Sequence, residues 1–198
     1  RKNINGLVFA FLKAFENHKD VRLILKVYGR SSTREIVKEI RKEFGIGEYP
    51  RIYVLEELLT EQTMPLLLNL SDCYISLSHG EGFDLTALKC GALAKPIIVP
   101  NWSGYTEYAD TNTAFLVSIK EFILADKNEP LQRYYEGQKW ANPDLDHAIE
   151  LMHHVVHCRE DSKATGEKLR QKILGKFTWE HFVVRLEKEL LLLDVPYV

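Results

Sequence analysis

Apolar residues along this chain recur with two alternating spacings, one typical of helices and one typical of buried strands. The helical spacing predicts helices over residues 6–15, 33–44, 63–71 and 85–93. Runs of β-branched and apolar residues predict strands over residues 21–28, 51–55, 73–77, 96–99 and 113–117, the first ending at Gly29. Helices and strands therefore alternate as far as residue 117.

This alternation predicts βαβ units, and hence a Rossmann-like α/β fold with a parallel sheet flanked by helices. The strands are apolar on both sides, as expected where helices cover both faces of a sheet. Ligands of such sheets bind beyond the carboxyl ends of the strands. We therefore expect the functional loops to follow the strands at Gly29, Leu55, Ser78 and Pro100.

The last part of the chain differs, because residues 144–158, 162–174 and 179–193 have the spacing of three helices with no strand between them. The leucines at 190–193 are more apolar than an exposed helix needs, which favours packing on something else, such as a domain absent from this chain. We predict one Rossmann-like domain over residues 1–198 with a helical tail over about 144–198.

Composition narrows the possible partners. The 198 residues carry a formal charge of −2 with no basic run, which argues against nucleic acid as a partner. No apolar segment is long enough to span a membrane. Cys73 and Cys90 lie in apolar runs and are expected to be buried thiols, which favours the cytoplasm. The chain begins at Arg1 without Met, so we expect it to be part of a longer protein.

Residues 78–86 carry the strongest chemical signal, and we call this segment the Glu81 loop. It follows a predicted strand and opens a predicted helix. Gly80 and Gly82 allow either close approach to a ligand or a positive φ. The helix amino terminus at Thr86 suits a phosphate. Glu81 could accept hydrogen bonds from sugar hydroxyls or lie near positive charge developing on a sugar carbon, or it could be an ordinary turn residue.

The run from Ser71 to Val117 resembles the signature region of retaining GT-B glycosyltransferases, especially glycosyltransferase family 4. The matching segments are Ser71-Asp72, the strand 73–77, Glu81-Gly82-Phe83-Asp84-Leu85-Thr86, Ala94-Lys95-Pro96-Ile97-Ile98-Val99 and Gly104-Tyr105-Thr106-Glu107. Arg1-Lys2-Asn3, Trp140-Ala141-Asn142-Pro143-Asp144 and Phe177-Thr178-Trp179-Glu180 resemble other segments of the family. The resemblance implies the carboxy-terminal half of a GT-B fold.

The resemblance also implies a role for each matching position. Lys2 would pair with the diphosphate of a nucleotide-sugar donor, UDP- or GDP-linked, and Glu81 would hydrogen-bond the sugar as the catalytic position. The strand end at Val54 and Leu55 would flank the nucleobase. Backbone N–H groups in the Glu81 loop would hold the sugar and a phosphate; the positions concerned are Gly80, Gly82, Phe83, Asp84, Leu85 and Thr86. No cofactor and no bound metal are implied.

The sequence departs from the family at two positions. Lys89 stands where the family has a second glutamate that bonds the ribose; a lysine only donates, so it either binds phosphate or leaves that contact out. Asp84 stands where glycine is common, and it could cap the helix or contact the sugar. The family's preceding strand, which ends in Gly-Arg, and its acceptor-binding half are absent, so we expect this chain alone to be an incomplete catalyst.

Several other side chains have two interpretations. His153 and His157 have zinc-ligand spacing but also suit a polar helix face. Trp102 and Tyr105 could stack on a sugar or pack in the core. Trp179 is expected in the core. Glu107 is either a site residue or a carboxylate at a helix start.

Three functions remain open at this point. The favoured one is retaining transfer, hexosyltransferase-like, to a glycan, lipid or protein acceptor within a longer protein, with possible peripheral membrane association. The second is a binding or assembly module that has lost donor chemistry, which Lys89 favours. The third is a GT-B-fold epimerase or phosphorylase; the latter would need a pyridoxal lysine that no position here supplies.

Overall fold

The computed structural model describes residues 1–28, 32–125 and 132–192. The helices of this part of the chain have the following bounds: α1 Ile4–Ala14, α2 Thr33–Glu43, α3 Thr63–Leu70, α4 Leu85–Ala92, α5 Gln132–Tyr135, α6 Leu145–His157, α7 Arg159–Lys176 and α8 Trp179–Leu192. Its strands have these bounds: β1 Arg22–Lys26, β2 Arg51–Leu55, β3 Tyr74–Ile75, β4 Ile97–Pro100, β5 Phe115–Val117, β6 Ile119–Leu124 and β7 Lys139–Pro143. A 3-10 turn spans Ser103–Glu107.

The first five strands pair in parallel, which confirms the predicted α/β class. β1 pairs with β2, so that Leu25 lies opposite Val54. β4 lies between β3 and β5, with Ile98 opposite both Ile75 and Phe115. The central strand β4 is buried over its whole length, as its run of apolar residues predicts.

Two apolar clusters fill the space between the strands and the helices. One joins α1 to β1, β2 and α6, and Val8 and Leu12 are fully buried in it. The other joins α4 and α7 to the face of β4 that carries Ile97 and Val99, and to the 3-10 turn. Gly166 of α7 lies so close to the segment that follows α4 that an added Cβ would be 2.4 Å from the Ala94 carbonyl oxygen. These contacts fix where α4, and hence the preceding Glu81 loop, sits on the sheet.

β6 and β7 form an antiparallel hairpin that the sequence did not predict, because the last predicted strand ends at residue 117. Trp140 and Pro143 lie in β7, within a segment for which the sequence predicted neither a helix nor a strand. β6 is exposed at most of its positions, so it has neither the continuous apolar run nor the clean alternation by which strands are recognised. The hairpin borders the Glu81 loop and therefore matters for the site.

The tail forms helices α6 to α8, but α8 has no buried residue. Trp179 is 80% exposed, so the expectation that it lies in the core is wrong. Leu191 is also exposed. Gly29 and Leu193, at the predicted ends of a strand and of the last helix, lie outside the described residues. Among the helices of the described residues, none has the length and apolar character to cross a membrane.

Candidate functional site

The Glu81 loop is held against the 3-10 turn by two hydrogen bonds to its backbone. The Glu81 N–H donates to Ser103 Oγ at 3.0 Å, and the Gly104 N–H donates to the Glu81 carbonyl oxygen at 3.1 Å. Gly104 is required here, because a Cβ at this position would lie 2.2 Å from the Gly82 carbonyl oxygen. Ser103 has φ 58°, a left-handed conformation that costs a residue other than glycine about 1 kcal/mol or more. The loop backbone is thus fixed by its neighbour.

The Glu81 carboxylate lies between two cations from the start of the chain. Lys2 Nζ is 2.7 Å from Oε1, and Arg1 Nη1 is 2.9 Å from Oε2. The Glu81 side chain is 7% exposed, and apart from the ion pair with Lys2, Oε1 has no hydrogen-bond partner among the described residues. Arg1 Nη1 also donates to the Gly80 carbonyl oxygen at 2.7 Å. The structure therefore brings Lys2 and Glu81 together, as a site built from both requires.

The two cations keep Glu81 ionised. Burial alone raises the pKa of its carboxyl, but the contacts with Lys2 and Arg1 outweigh burial and hold the pKa below its ordinary value. Burial likewise opposes the charge on Arg1, and Glu81 more than compensates, so that the pKa of the guanidinium is raised. At neutral pH the cluster therefore carries two positive charges against one negative charge, which favours an anionic ligand beside it.

Asp84 ends the loop and caps α4. Its φ is 55°, in the left-handed region where glycine is favoured and aspartate is tolerated. Its Oδ1 accepts from the backbone N–H groups of Thr86 and Ala87 at 3.2 and 3.3 Å. Its Oδ2 accepts from the hydroxyls of Tyr74 and Tyr105 at 3.0 and 2.9 Å. Both carboxylate oxygens are engaged within the protein, so Asp84 here is a helix cap and the Thr86 N–H is occupied.

Other backbone donors of the loop remain open. Among the described residues, the N–H groups of Gly82, Phe83 and Leu85 have no hydrogen-bond partner. Neither Gly80 nor Gly82 has a positive φ, which leaves close approach of a ligand as the remaining alternative for the two glycines. A Cβ on Gly82 would meet nothing within 4 Å. Open space above unpaired amides suits the alternative, close approach of a ligand.

Lys89 lies apart from this cluster, on the exposed side of α4. It lines a cavity of about 460 Å³ beyond the carboxyl end of β1; the other lining residues are Lys26, Tyr28, Leu59, Thr60, Glu61, Met64 and Pro65. The Val54 side chain is buried in the core, and its carbonyl oxygen accepts from Arg34 Nη2 at 2.9 Å. The Leu55 carbonyl oxygen accepts from the Val27 N–H. The carbonyl oxygens of Val54 and Leu55, at the end of β2, are thus used in hydrogen bonds within the protein. The cavity is lined by Lys26 of β1, the strand that pairs with β2.

The side chains with two interpretations are now placed. Tyr105 is fully buried, whereas Trp102 is 41% exposed and Glu107 is also exposed. The imidazoles of His153 and His157 stack with centroids 6.1 Å apart. In the described part of the chain, no three His, Cys, Asp or Glu side chains are grouped so that they could hold a metal ion.

Sequence reasoning missed the residues that the hairpin and α5 bring to the site. The His79 ring stacks on Trp140 of β7, with centroids 5.3 Å apart, and its Nδ1 lies 2.8 Å from the Ala141 carbonyl oxygen. Tyr135 of α5 contacts Trp140 edge-on, and its hydroxyl helps to raise the pKa of Arg1, after the larger contribution of Glu81. The contacts of His79 join residues far apart in the chain, so the sequence indicated them only through the aromatic content of residues 134–140.

Comparison with known proteins gives one family. The model of the family described as glycosyl transferases group 1 matches residues 1–127. A search of curated protein sequences finds no match.

Solved structures share the fold. Sucrose-phosphate synthase from Thermosynechococcus elongatus superposes with a TM-score of 0.69 at 17% identity, over 98% of this chain and 43% of that protein. HepE from Anabaena, solved with UDP and glucose, gives 0.68 at 14% identity, over 98% of this chain and 45% of HepE. The pneumococcal O-GlcNAc transferase GtfA, solved with UDP and GlcNAc, gives 0.60 at 17% identity, over 95% and 32%. This chain therefore spans less than half the length of these proteins and has the fold of their GT-B halves.

Proposed function

Because the chain belongs to the glycosyl transferases of group 1, whose family model matches residues 1–127, we propose that it binds a nucleotide-diphosphate sugar at the Glu81 loop. In the full protein the sugar is transferred to an acceptor hydroxyl with retention of configuration, as in glycosyltransferase family 4. The donor is a UDP- or GDP-linked hexose. An acceptor-binding half outside this chain supplies a glycan, a lipid or a protein, and the reaction takes place in the cytoplasm.

One observation carries this proposal: the buried Glu81 carboxylate lies within 3 Å of two cations, beside the unpaired amides of the same loop. A donor sugar offers hydroxyls to the carboxylate and a diphosphate to the cations and amides. A ligand with both hydroxyls and negative phosphates is matched by a cluster that has a carboxylate, two cations and unpaired amides, whereas an ion pair that only stabilises the fold needs no unpaired amides. The UDP and sugar found with HepE and GtfA add a precedent for the fold.

The residues of this chain contribute by stabilising the charge that develops during transfer and by positioning the sugar. The bond between the anomeric carbon and the diphosphate oxygen breaks while the acceptor oxygen bonds to that carbon from the same face, and the leaving phosphate takes the acceptor's proton. Lys2 and Arg1 stabilise the negative charge on the departing diphosphate, and Glu81 positions the sugar through its hydroxyls. We assign no general base.

Calorimetry with UDP-glucose, GDP-mannose and ADP-glucose tests the donor site. We expect one of them to bind, and Lys2→Met to weaken it about tenfold, since one charged contact is worth about 1.4 kcal/mol. Lys163→Met is the matched control, because Lys163 pairs with Glu160 on α7. If none of the three binds, or if both variants weaken binding alike, the proposed site is wrong.

A second candidate function is a binding module without donor chemistry. Lys89 favours it, because an ammonium group cannot accept a hydrogen bond from a ribose hydroxyl, and among the described residues that line the cavity Glu61 is the one carboxylate beside Lys26 and Lys89. Calorimetry of Lys89→Glu beside the parent separates the two. If Lys89→Glu gains a nucleotide-sugar affinity that the parent lacks, donor chemistry has been lost in this chain.

A further inference from the structure

Two large aromatic rings are left in water beside the Glu81 loop. Trp102 is 41% exposed and Phe122 of β6 is 49% exposed, and their centroids lie 4.9 Å apart with the ring planes at 74°. Neither belongs to the two apolar clusters of the core. Leu124, which follows on β6, is 67% exposed. We call Trp102 and Phe122 the aromatic platform.

Ser103, the residue after Trp102, hydrogen-bonds the Glu81 loop and so places the platform beside it. Trp102 precedes Ser103, whose Oγ accepts from the Glu81 N–H at 3.0 Å. A Cβ on Gly80 would lie 4.0 Å from Trp102 Nε1, so the edge of the indole faces the loop. Among the described residues the indole N–H has no hydrogen-bond partner. An apolar ring with an unused donor therefore adjoins the loop whose Glu81 carboxylate contacts the donor sugar in the proposed function.

The backbone holds this arrangement at a cost. Ser103 is in the left-handed region at φ 58°, while Trp102 is extended at φ −160°. A strained residue that persists between a site loop and an exposed indole points to a role for the indole's position. Core packing does not account for the indole, because Trp102 is 41% exposed and belongs to neither apolar cluster.

We propose that the aromatic platform binds a pyranose ring of the acceptor, which is therefore a glycan; this inference rests on the proposed function. The C–H face of a pyranose packs on an aromatic ring, and its equatorial hydroxyls hydrogen-bond to groups at the ring edge, here the indole N–H. Leu124, 67% exposed and two residues beyond Phe122 on β6, is a further apolar side chain that a second sugar ring could contact. The transferred sugar itself is held by the polar groups of the loop.

Indole N–H signals of the ¹⁵N-labelled chain test this directly, because the chain has only 3 tryptophans. The probes are UDP, then cellotriose, maltotriose and mannotriose, each with UDP present. We expect at least one trisaccharide to shift the Trp102 signal, and Phe122→Ala to reduce that shift severalfold. Trp179, which is 80% exposed on α8, is the control for non-specific contact and should not shift.

Three outcomes would overturn the proposal. If no trisaccharide shifts Trp102, or if Trp179 shifts equally, the platform is not a glycan site. If UDP alone produces the whole shift, the platform belongs to the donor. A trisaccharide shift without any response to UDP would retain glycan binding but reject the donor site, so the two failures are distinguishable. Trp102→Phe, which keeps a ring but removes the N–H, should weaken trisaccharide binding less than Trp102→Ala.

Discussion

Replacing Asp84 tests how the Glu81 loop is built. In Asp84→Ala the α4 cap is lost, which costs about 1 kcal/mol. The Tyr74 hydroxyl also loses its acceptor, at a cost of about 1–2 kcal/mol, whereas Tyr105 keeps its bonds to Ser76 and Ser78. Alanine at φ 55° adds about 1 kcal/mol of strain. We expect a loss of about 3 kcal/mol in the free energy of unfolding.

Urea denaturation followed by circular dichroism measures this loss. With an m value of about 2 kcal/mol/M, the midpoint should fall by about 1.5 M. Asp84→Gly is the matched control: it lacks the carboxylate too but suits the left-handed backbone, so it should be more stable than Asp84→Ala by about 1 kcal/mol.

A double-mutant cycle with Tyr74→Phe isolates the carboxylate–hydroxyl contact. We expect a coupling of about 1 kcal/mol or more between the two substitutions. Additive effects, or a parental midpoint in Asp84→Ala, would refute the idea that Asp84 holds the loop, and would return it to the candidates for direct sugar contact.

Two further predictions concern the loop and an ion pair. Gly104→Ala should lose about 2 kcal/mol or more, because its Cβ would clash with the Gly82 carbonyl oxygen, whereas Gly82→Ala should keep parental stability and bind donor more weakly; equal stabilities of the two variants would contradict this. Lys172 holds the pKa of Asp110 below its ordinary value, chiefly through a 2.7 Å hydrogen bond. The pair therefore stabilises the fold above the unfolded-state pKa of about 4 and loses that contribution as the pH falls through the folded-state value. Both side chains are partly exposed, so thermal melts against pH should show Lys172→Met losing at most about 1 kcal/mol at pH 7, and this loss should vanish as the pH falls through the folded-state pKa of Asp110.

The parts of the fold that follow from the sequence are those with strong local signals. The bounds of β2 were predicted as they are found, because Pro50 and the glycines before it punctuate a short apolar strand. The position of the Glu81 loop followed from the glycines between β3 and α4. The β6–β7 hairpin could not be predicted in this way, because an exposed strand has no apolar pattern.

Residues of the site could be predicted only where their position in a sequence motif indicates a role by itself. Lys2 and Glu81 came from motif positions, and the structure brings them within 2.7 Å. Asp84 both caps α4 and accepts a hydrogen bond from the Tyr105 hydroxyl, and the second contact depends on where Tyr105 packs. The contact of His79 with Trp140 depends on the β6–β7 hairpin. Such contacts are set by the packing of distant segments, for which a single sequence gives no pattern.

The central claim is that a nucleotide-diphosphate sugar binds at the Glu81 loop. Crystals of the chain soaked with UDP-, GDP- and ADP-linked sugars test it most directly, by the position of the ligand density. We expect the diphosphate of one donor within hydrogen-bond distance of Lys2 Nζ and of the Gly82 or Phe83 N–H, with a sugar hydroxyl on the Glu81 carboxylate. Density elsewhere, such as the cavity between α7 and α8 lined by His181 and Arg185, or unchanged contacts around Glu81, would contradict the account.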